Sequence, residues 1–117
     1  TQILSFRIGN ILCPEDYPAI RARAADHPEE RLRIFWSYID SRDLATACQL
    51  GIEKDGLGCQ PLIIAADNTS SPIPSQDLIK RFLPNVTDLR TPFDARQPFI
   101  SNARIKSVLG WQQEHWF

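Results

Sequence analysis

Two tyrosines in this chain are each followed, four residues later, by a cation: Tyr17-x-x-x-Arg21 and Tyr38-x-x-x-Arg42. On a helix that spacing stacks the two side chains, and a positive charge beside a phenol lowers its pKa toward that of a working acid or base. These pairs only imitate a tyrosine–lysine acid/base pair, and Tyr38 falls before a helix instead of on one. Neither tyrosine is assigned as a proton-transfer group. His27 and His115 have no carboxylate or cysteine at metal-ligand spacing, so surface or capping roles are expected for both. No Gly-x-Ser-x-Gly turn exposes an activated serine. Gly56-x-Gly58 lacks the third glycine and the following helix that bring a backbone against a pyrophosphate, and it reads as a turn. The catalytic assignment from the residues is therefore none.

A chain of 117 residues is one domain's worth of polypeptide. A domain of this size buries about two-thirds of the surface its unfolded chain exposes, enough for one small core. Thirteen Lys and Arg against fourteen Asp and Glu give a net charge of -1 without a basic cluster, which argues against nucleic acid as a partner. No apolar run approaches the ~18 residues that a membrane span requires. Three cysteines, Cys13, Cys48 and Cys59, are widely spaced and odd in number, which predicts reduced thiols and a cytoplasmic location. Cys48 reads as a small buried apolar residue. The sequence contains no methionine and shows no leader, so the chain is expected to be the remainder of a longer one.

The elements that must position any site are legible in outline. Ile3–Ile8 is an apolar, β-branched run suited to a buried strand. Pro14-Glu15-Asp16 opens a helix running to about Ala25, and Pro28-Glu29-Glu30 can start a second, shorter one. Asp40 or Ser41 can cap a helix extending to Lys54, whose apolar face is expected to carry Leu44, Ala47, Cys48 and Ile52. Leu62–Ala66 reads as a strand buried on both faces of a parallel sheet, followed by a loop from Asp67 to Pro72 where ligands favour binding. Pro74–Leu83 is expected to be helical. Ser101 can cap a last helix that Gly110 ends and Trp111 closes with an apolar contact.

Tyr38 to Leu50, with Arg7-Ile8-Gly9-Asn10 upstream and Leu109-Gly110-Trp111 downstream, resembles part of a known enzyme family. That part is the carboxy-terminal, substrate-side half of an NAD(P)-dependent sugar-nucleotide epimerase/dehydratase, of the extended short-chain dehydrogenase/reductases. The resemblance covers roughly Ile3 to Trp116. It implies an α/β fold: the small substrate-side domain of an extended Rossmann-type reductase, with a few short parallel strands and four to five helices. Residues 1–117 would form the substrate-binding part. The Rossmann half, carrying NAD or NADP and the catalytic tyrosine, would lie on other polypeptide, and this chain alone is expected to bind no cofactor.

The resemblance also implies roles. Arg7–Asn10 is similar to the family's strand-end Arg-x-x-Asn, whose asparagine contacts the sugar nucleotide, and this makes Asn10 a substrate contact. The family's diphosphate-pairing arginine falls near Trp36, with Arg33 the nearest arginine here. A second phosphate-binding arginine precedes the last helix, giving Arg90, with Arg96 as the other choice. An arginine suits that task because its planar fork engages two phosphate oxygens at once. Asp43 is expected to cap its helix, and Arg104 with Leu109-Gly110-Trp111 to serve packing. The implied partners are a nucleotide sugar or related small substrate and the missing Rossmann half. The alternative is a non-catalytic module that binds a ligand or a protein with the remnant fold. Ile3–Ile8 is too apolar for an exposed edge strand, and Trp111, Trp116 and Phe117 cluster near it in character, so a homo-oligomer is expected. Sedimentation velocity at micromolar concentration should therefore return a species larger than a monomer; a stable monomer contradicts this.

Overall fold

A computed structural model describes residues 1–90 and 92–117. In chain order it contains β1 (Ile3–Ile8), β2 (Ile11–Leu12), α1 (Tyr17–Asp26), β3 (Ile39–Asp40), α2 (Ser41–Glu53), β4 (Cys59–Ile64), α3 (Ser75–Phe82) and α4 (Ala103–Leu109). Pro14–Asp16 and Pro28–Ile34 are 3-10 helical. β1 and β4 pair in parallel from Ile3 opposite Cys59 to Ile8 opposite Ile64. β2 and β3 form a second parallel pair, Ile11 opposite Ile39 and Leu12 opposite Asp40. The chain is thus an α/β domain with a few short parallel strands. Among the described residues no helix is long and apolar enough to cross a membrane.

Three expectations need correction, the third at Asp43 below. The strand placed at Leu62–Ala66 runs from Cys59 to Ile64 and alternates, with Leu62 and Ile64 buried but Pro61 and Ile63 exposed. Its inward residues join Ile39, Ala47, Ile105, Leu109 and Trp111 in the main core, while Ile3, Ile8 and Ile63 stay 57%, 45% and 36% exposed. The face of α2 is also rotated from the expected one: Cys48 is exposed and Ile52 is 84% exposed, whereas Asp43, Ala47 and Gly51 are buried. The reason is close approach. A Cβ on Gly51 would lie 2.9 Å from Cδ1 of Leu4 and 3.6 Å from the Phe6 ring, so the glycine lets α2 settle onto β1 along the 43–47–51 line.

The start of α2 is fixed by two carboxylates with different tasks. Asp40 caps it: Oδ1 accepts from the Arg42 backbone N–H and from Arg42 Nε, both at 2.9 Å, while Oδ2 accepts from Arg42 Nη2 at 2.8 Å and from the Tyr17 hydroxyl. The Arg42 bonds hold the buried Asp40 carboxyl well below the usual carboxylate range, and burial followed by Asp40 pushes the Tyr17 phenol far up.

Asp43 does not cap its own helix. Its Oδ2 accepts from the backbone N–H of Glu114 at 3.2 Å and of His115 at 3.0 Å, and Oδ1 lies 2.6 Å from His115 Nδ1. The Asp43 carbonyl accepts from the indole N–H of Trp111 at 3.0 Å. Gly110, with φ of 68°, makes the left-handed turn that ends α4 and drops Trp111 into the core, as its position in the sequence suggests. The C-terminal stretch is therefore tied down by one buried residue of α2. Asp43→Ala leaves two backbone N–H groups and the imidazole without their acceptor, and should lower unfolding free energy by about 2–4 kcal/mol. Urea unfolding measures this, with Asp43→Asn falling between; a loss under about 0.5 kcal/mol, the range of an ordinary surface change, contradicts the tether.

Candidate functional site

Pro28–Ile34 winds with three residues per turn, so Pro28, Arg31 and Ile34 share its sheltered side while Glu29, Glu30 and Arg33 are exposed. The segment ends in a sharp reversal at Phe35 and Trp36, whose φ values of 51° and 53° are left-handed. Bulky residues in that region are strained by about 1–3 kcal/mol each, and such strain clusters at functional sites. Trp36 to Asp40 then runs fully inside the protein.

Arg31 is thereby turned toward the junction of β2, β3 and the loop after β4. Its Nε donates to the Ser70 hydroxyl at 2.7 Å and its Nη2 to the Ser37 carbonyl at 3.2 Å. The Asn10 carboxamide, oriented so that both groups are satisfied, presents Oδ1 to Arg31 Nη2 at 3.0 Å and Nη1 at 3.1 Å. The backbone holds Asn10 as well: its carbonyl accepts from Ile39 N–H at 2.9 Å, and the preceding Gly9 N–H donates to Ile64 at 3.2 Å. Every acceptor on Arg31 is neutral, and burial pulls its pKa below the ordinary arginine value.

Arg96 approaches the same loop by another route. Its Nη2 donates to the Thr69 carbonyl, Nη1 reaches the Phe117 carbonyl at 3.5 Å, and its own carbonyl accepts from Thr69 N–H at 2.9 Å. Its Nε–H is buried with no acceptor among the described residues. The preceding Ala95 is left-handed at φ 42°. Burial, and then the nearby Arg21, lower the Arg96 pKa against an opposing pull from Tyr38. Arg21 lies 5.1 Å from the centre of the Phe117 ring and 5.5 Å from that of Tyr17. Arg21, Ala25, Pro72, Arg96 and Phe117 line a cavity of 190 Å³. That is below the ~300–1,000 Å³ of a site for a whole small molecule, and suits one charged group. Among the described residues neither Arg31, Arg96 nor Arg21 is ion-paired with a side-chain carboxylate.

Of the residues expected at the site, the structure brings Asn10 to the Arg31 cluster and Arg96 to the Thr69 side of the same loop. Arg33 is exposed on the far side of its 3-10 turn, and Arg90 is exposed in the loop ahead of α4. Trp36 is wholly buried, its indole N–H donating to the Pro28 carbonyl at 2.8 Å and its ring set 5.7 Å from both Phe82 and Phe99. It packs the reversal and offers no open face. The guanidinium turned toward this junction is that of Arg31. Beyond it, Phe35 opens onto an apolar hollow of 390 Å³ shared with Ile79, Leu83, Val86, Phe93 and Phe99.

The tyrosines are occupied otherwise. The Tyr38 hydroxyl donates to Asn68 Oδ1 at 2.5 Å and accepts from Gln113 Nε2 at 3.2 Å and from Phe117 N–H at 2.9 Å, and Tyr17 donates to Asp40. Gly56 and Gly58, both left-handed, form the turn from α2 into β4. A dinucleotide cradle needs the opposite order, a strand, then glycines, then a helix whose N-terminus faces the pyrophosphate, so these residues do not fit one. No protein-family model, no curated protein and no solved structure matches this chain.

Proposed function

We propose that this chain is the substrate-binding portion of an NAD(P)-dependent epimerase/dehydratase of the extended short-chain dehydrogenase/reductase type. In this reading it holds a phosphate-bearing substrate, of which a nucleotide sugar is the first candidate, and is inactive alone. The observation that carries the reading is the pair of sheltered guanidinium groups, Arg31 and Arg96, on adjacent residues of the loop after β4, with no side-chain carboxylate among the described residues to balance either. Charge sheltered from water is expensive unless paired, and a ligand that brings two or more negative charges relieves both groups together. The loop leaves the carboxyl end of a parallel strand, where α/β sheets bind ligands. Asn10 contributes an amide to the same edge.

The nicotinamide and the acid/base group belong to polypeptide outside this chain, and no chemical step is assigned to residues within it. What these residues supply is orientation, which can lower a barrier by roughly 7–11 kcal/mol when reactants are held in line. The exposed Ile3 and Ile63, on the outer face of the β1–β4 pair, favour a covering partner, either that remaining polypeptide or, in the alternative reading of a non-catalytic module, a second protein.

Thermal-shift and calorimetric titrations with pyrophosphate and with uridine-diphosphate sugars test the reading. Saturating ligand at about a hundred times its Kd should stabilise the chain by roughly 2.7 kcal/mol. Arg96→Gln removes a charge-assisted contact and should weaken binding roughly tenfold to a hundredfold. Absence of stabilisation by any phosphate compound, or full affinity in Arg96→Gln, contradicts it; the first result would favour the protein-binding module.

A further inference from the structure

We infer that the hollow between the end of α4 and the C-terminal stretch is a separate binding site for the ring of a neutral polyol, with a pyranose as the ligand class. Asp67, Lys106, Gly110, Gln112, Gln113 and Trp116 line it, and its volume is 370 Å³. That volume lies within the ~300–1,000 Å³ of small-molecule sites. It shares no lining residue with the cavity at Arg21 and Arg96, so the inference is independent of the phosphate-binding reading. The Trp116 indole is 54% exposed although the chain on both sides of it is fixed. His115 N–H donates to Asp43 Oδ2 at 3.0 Å, and Phe117 N–H donates to the Tyr38 hydroxyl at 2.9 Å. A tryptophan held at the surface by its neighbours offers a rigid apolar face at little cost in conformational entropy.

Gln113 ties the loop after β4 to the C-terminal stretch: its Oε1 accepts from Asp67 N–H at 2.5 Å, and its Nε2 donates to the His115 carbonyl at 2.9 Å. The hollow is thus built before any ligand enters. Both donors to the Asp67 carboxylate converge on Oδ1, Asn102 Nδ2 at 2.7 Å and Lys106 Nζ at 2.6 Å. Among the described residues no donor engages Asp67 Oδ2, and Lys106 bonds no second acceptor. This half-buried ion pair therefore sets an open acceptor beside an open donor while its own charge sums to zero. A ligand anion would meet Asp67 and a ligand cation would meet Lys106, so the pair disfavours both. A vicinal diol matches it. One hydroxyl donates to Oδ2, the neighbouring oxygen accepts from the ammonium, and the C–H face of the ring lies on the Trp116 indole. The exposed carboxamide of Gln112 is placed to serve a further hydroxyl.

Titration with the methyl pyranosides of glucose, galactose and mannose, followed at the tryptophan indole resonances, tests the site. At least one of these sugars should saturate in the millimolar range and shift the Trp116 indole, while that of the wholly buried Trp36 stays in place. Trp116→Ala should weaken binding by about tenfold or more and leave the unfolding midpoint unchanged, since the ring is exposed. Trp116→Phe, which keeps an aromatic face, should retain most of the affinity. Asp67→Asn keeps the acceptor for Asn102 but turns an NH2 group into the place of Oδ2, and it should weaken the same sugar by about tenfold. Arg96→Gln should leave sugar affinity untouched. No saturation by any of the sugars, or full affinity in Trp116→Ala, overturns the site. Cyclohexanol binding as tightly as the best sugar overturns the diol contact, and loss of sugar binding in Arg96→Gln overturns the separation from the arginine cavity.

Discussion

Five consecutive residues, Trp36 to Asp40, are removed from water together, and the arrangement of the rest follows from what that demands. A buried backbone must find hydrogen-bond partners inside the protein. For this stretch they are Arg31 and Ile34 at its start, Ser70 on Trp36, Arg31 on Ser37, Ala66 on Tyr38, and Asn10 on Ile39. The loop after β4, the end of the first strand region and the 3-10 turn are brought to one place because each satisfies part of the same segment. The left-handed pair Phe35 and Trp36 is the strained corner that lets the chain double back into that position. Aromatic packing of Trp36 against Phe82 and Phe99 offsets the strain.

Charge is distributed unevenly around this segment, and the unevenness is where function enters. The two carboxylates nearest the buried run are fully engaged: Asp40 by Arg42 and Tyr17, Asp43 by the backbone of Glu114 and His115 and by the imidazole. The sheltered arginines have only carbonyl, hydroxyl and amide oxygens. Neutral acceptors orient a guanidinium without balancing its charge, and the penalty for sheltering an unbalanced ion runs to several kcal/mol. In the reading proposed above, a fold that retains Arg31 and Arg96 in this state is preorganised for an anion, since the cost of gathering the cations is met before the ligand arrives.

Much of this was legible in the sequence where one residue type has one use. Gly110 and Trp111 announced the end of the last helix, and the cap of α2 was narrowed to Asp40 or Ser41, of which Asp40 serves. The Arg31 cluster was less legible. Asn10 was singled out beforehand, as was Arg96, but Arg33 was chosen as the arginine nearest Trp36, and that register says nothing of which side of the 3-10 turn an arginine faces. A period of three does: Pro28, Arg31 and Ile34 form one stripe, and recognising a 3-10 turn would have chosen Arg31. Asp43 was misjudged as a cap because its partners lie more than seventy residues away, beyond any local signal. The burial of α2 was misread at Cys48 and Ile52 because apolar spacing reports which residues could face a core, whereas the missing side chain of Gly51 decides which face comes closest.

The β1–β4 pair carries helices on one face and leaves Ile3 and Ile63 exposed on the other. The most direct test of the account is to follow the arginine Nε–Hε resonances by proton–nitrogen correlation spectroscopy while pyrophosphate is added at constant ionic strength. Saturable shifts at Arg31 and Arg96, with the exposed Arg23 and Arg104 unmoved, are the predicted result. Equal drift of all the arginines, or no response from Arg31 and Arg96, would contradict it.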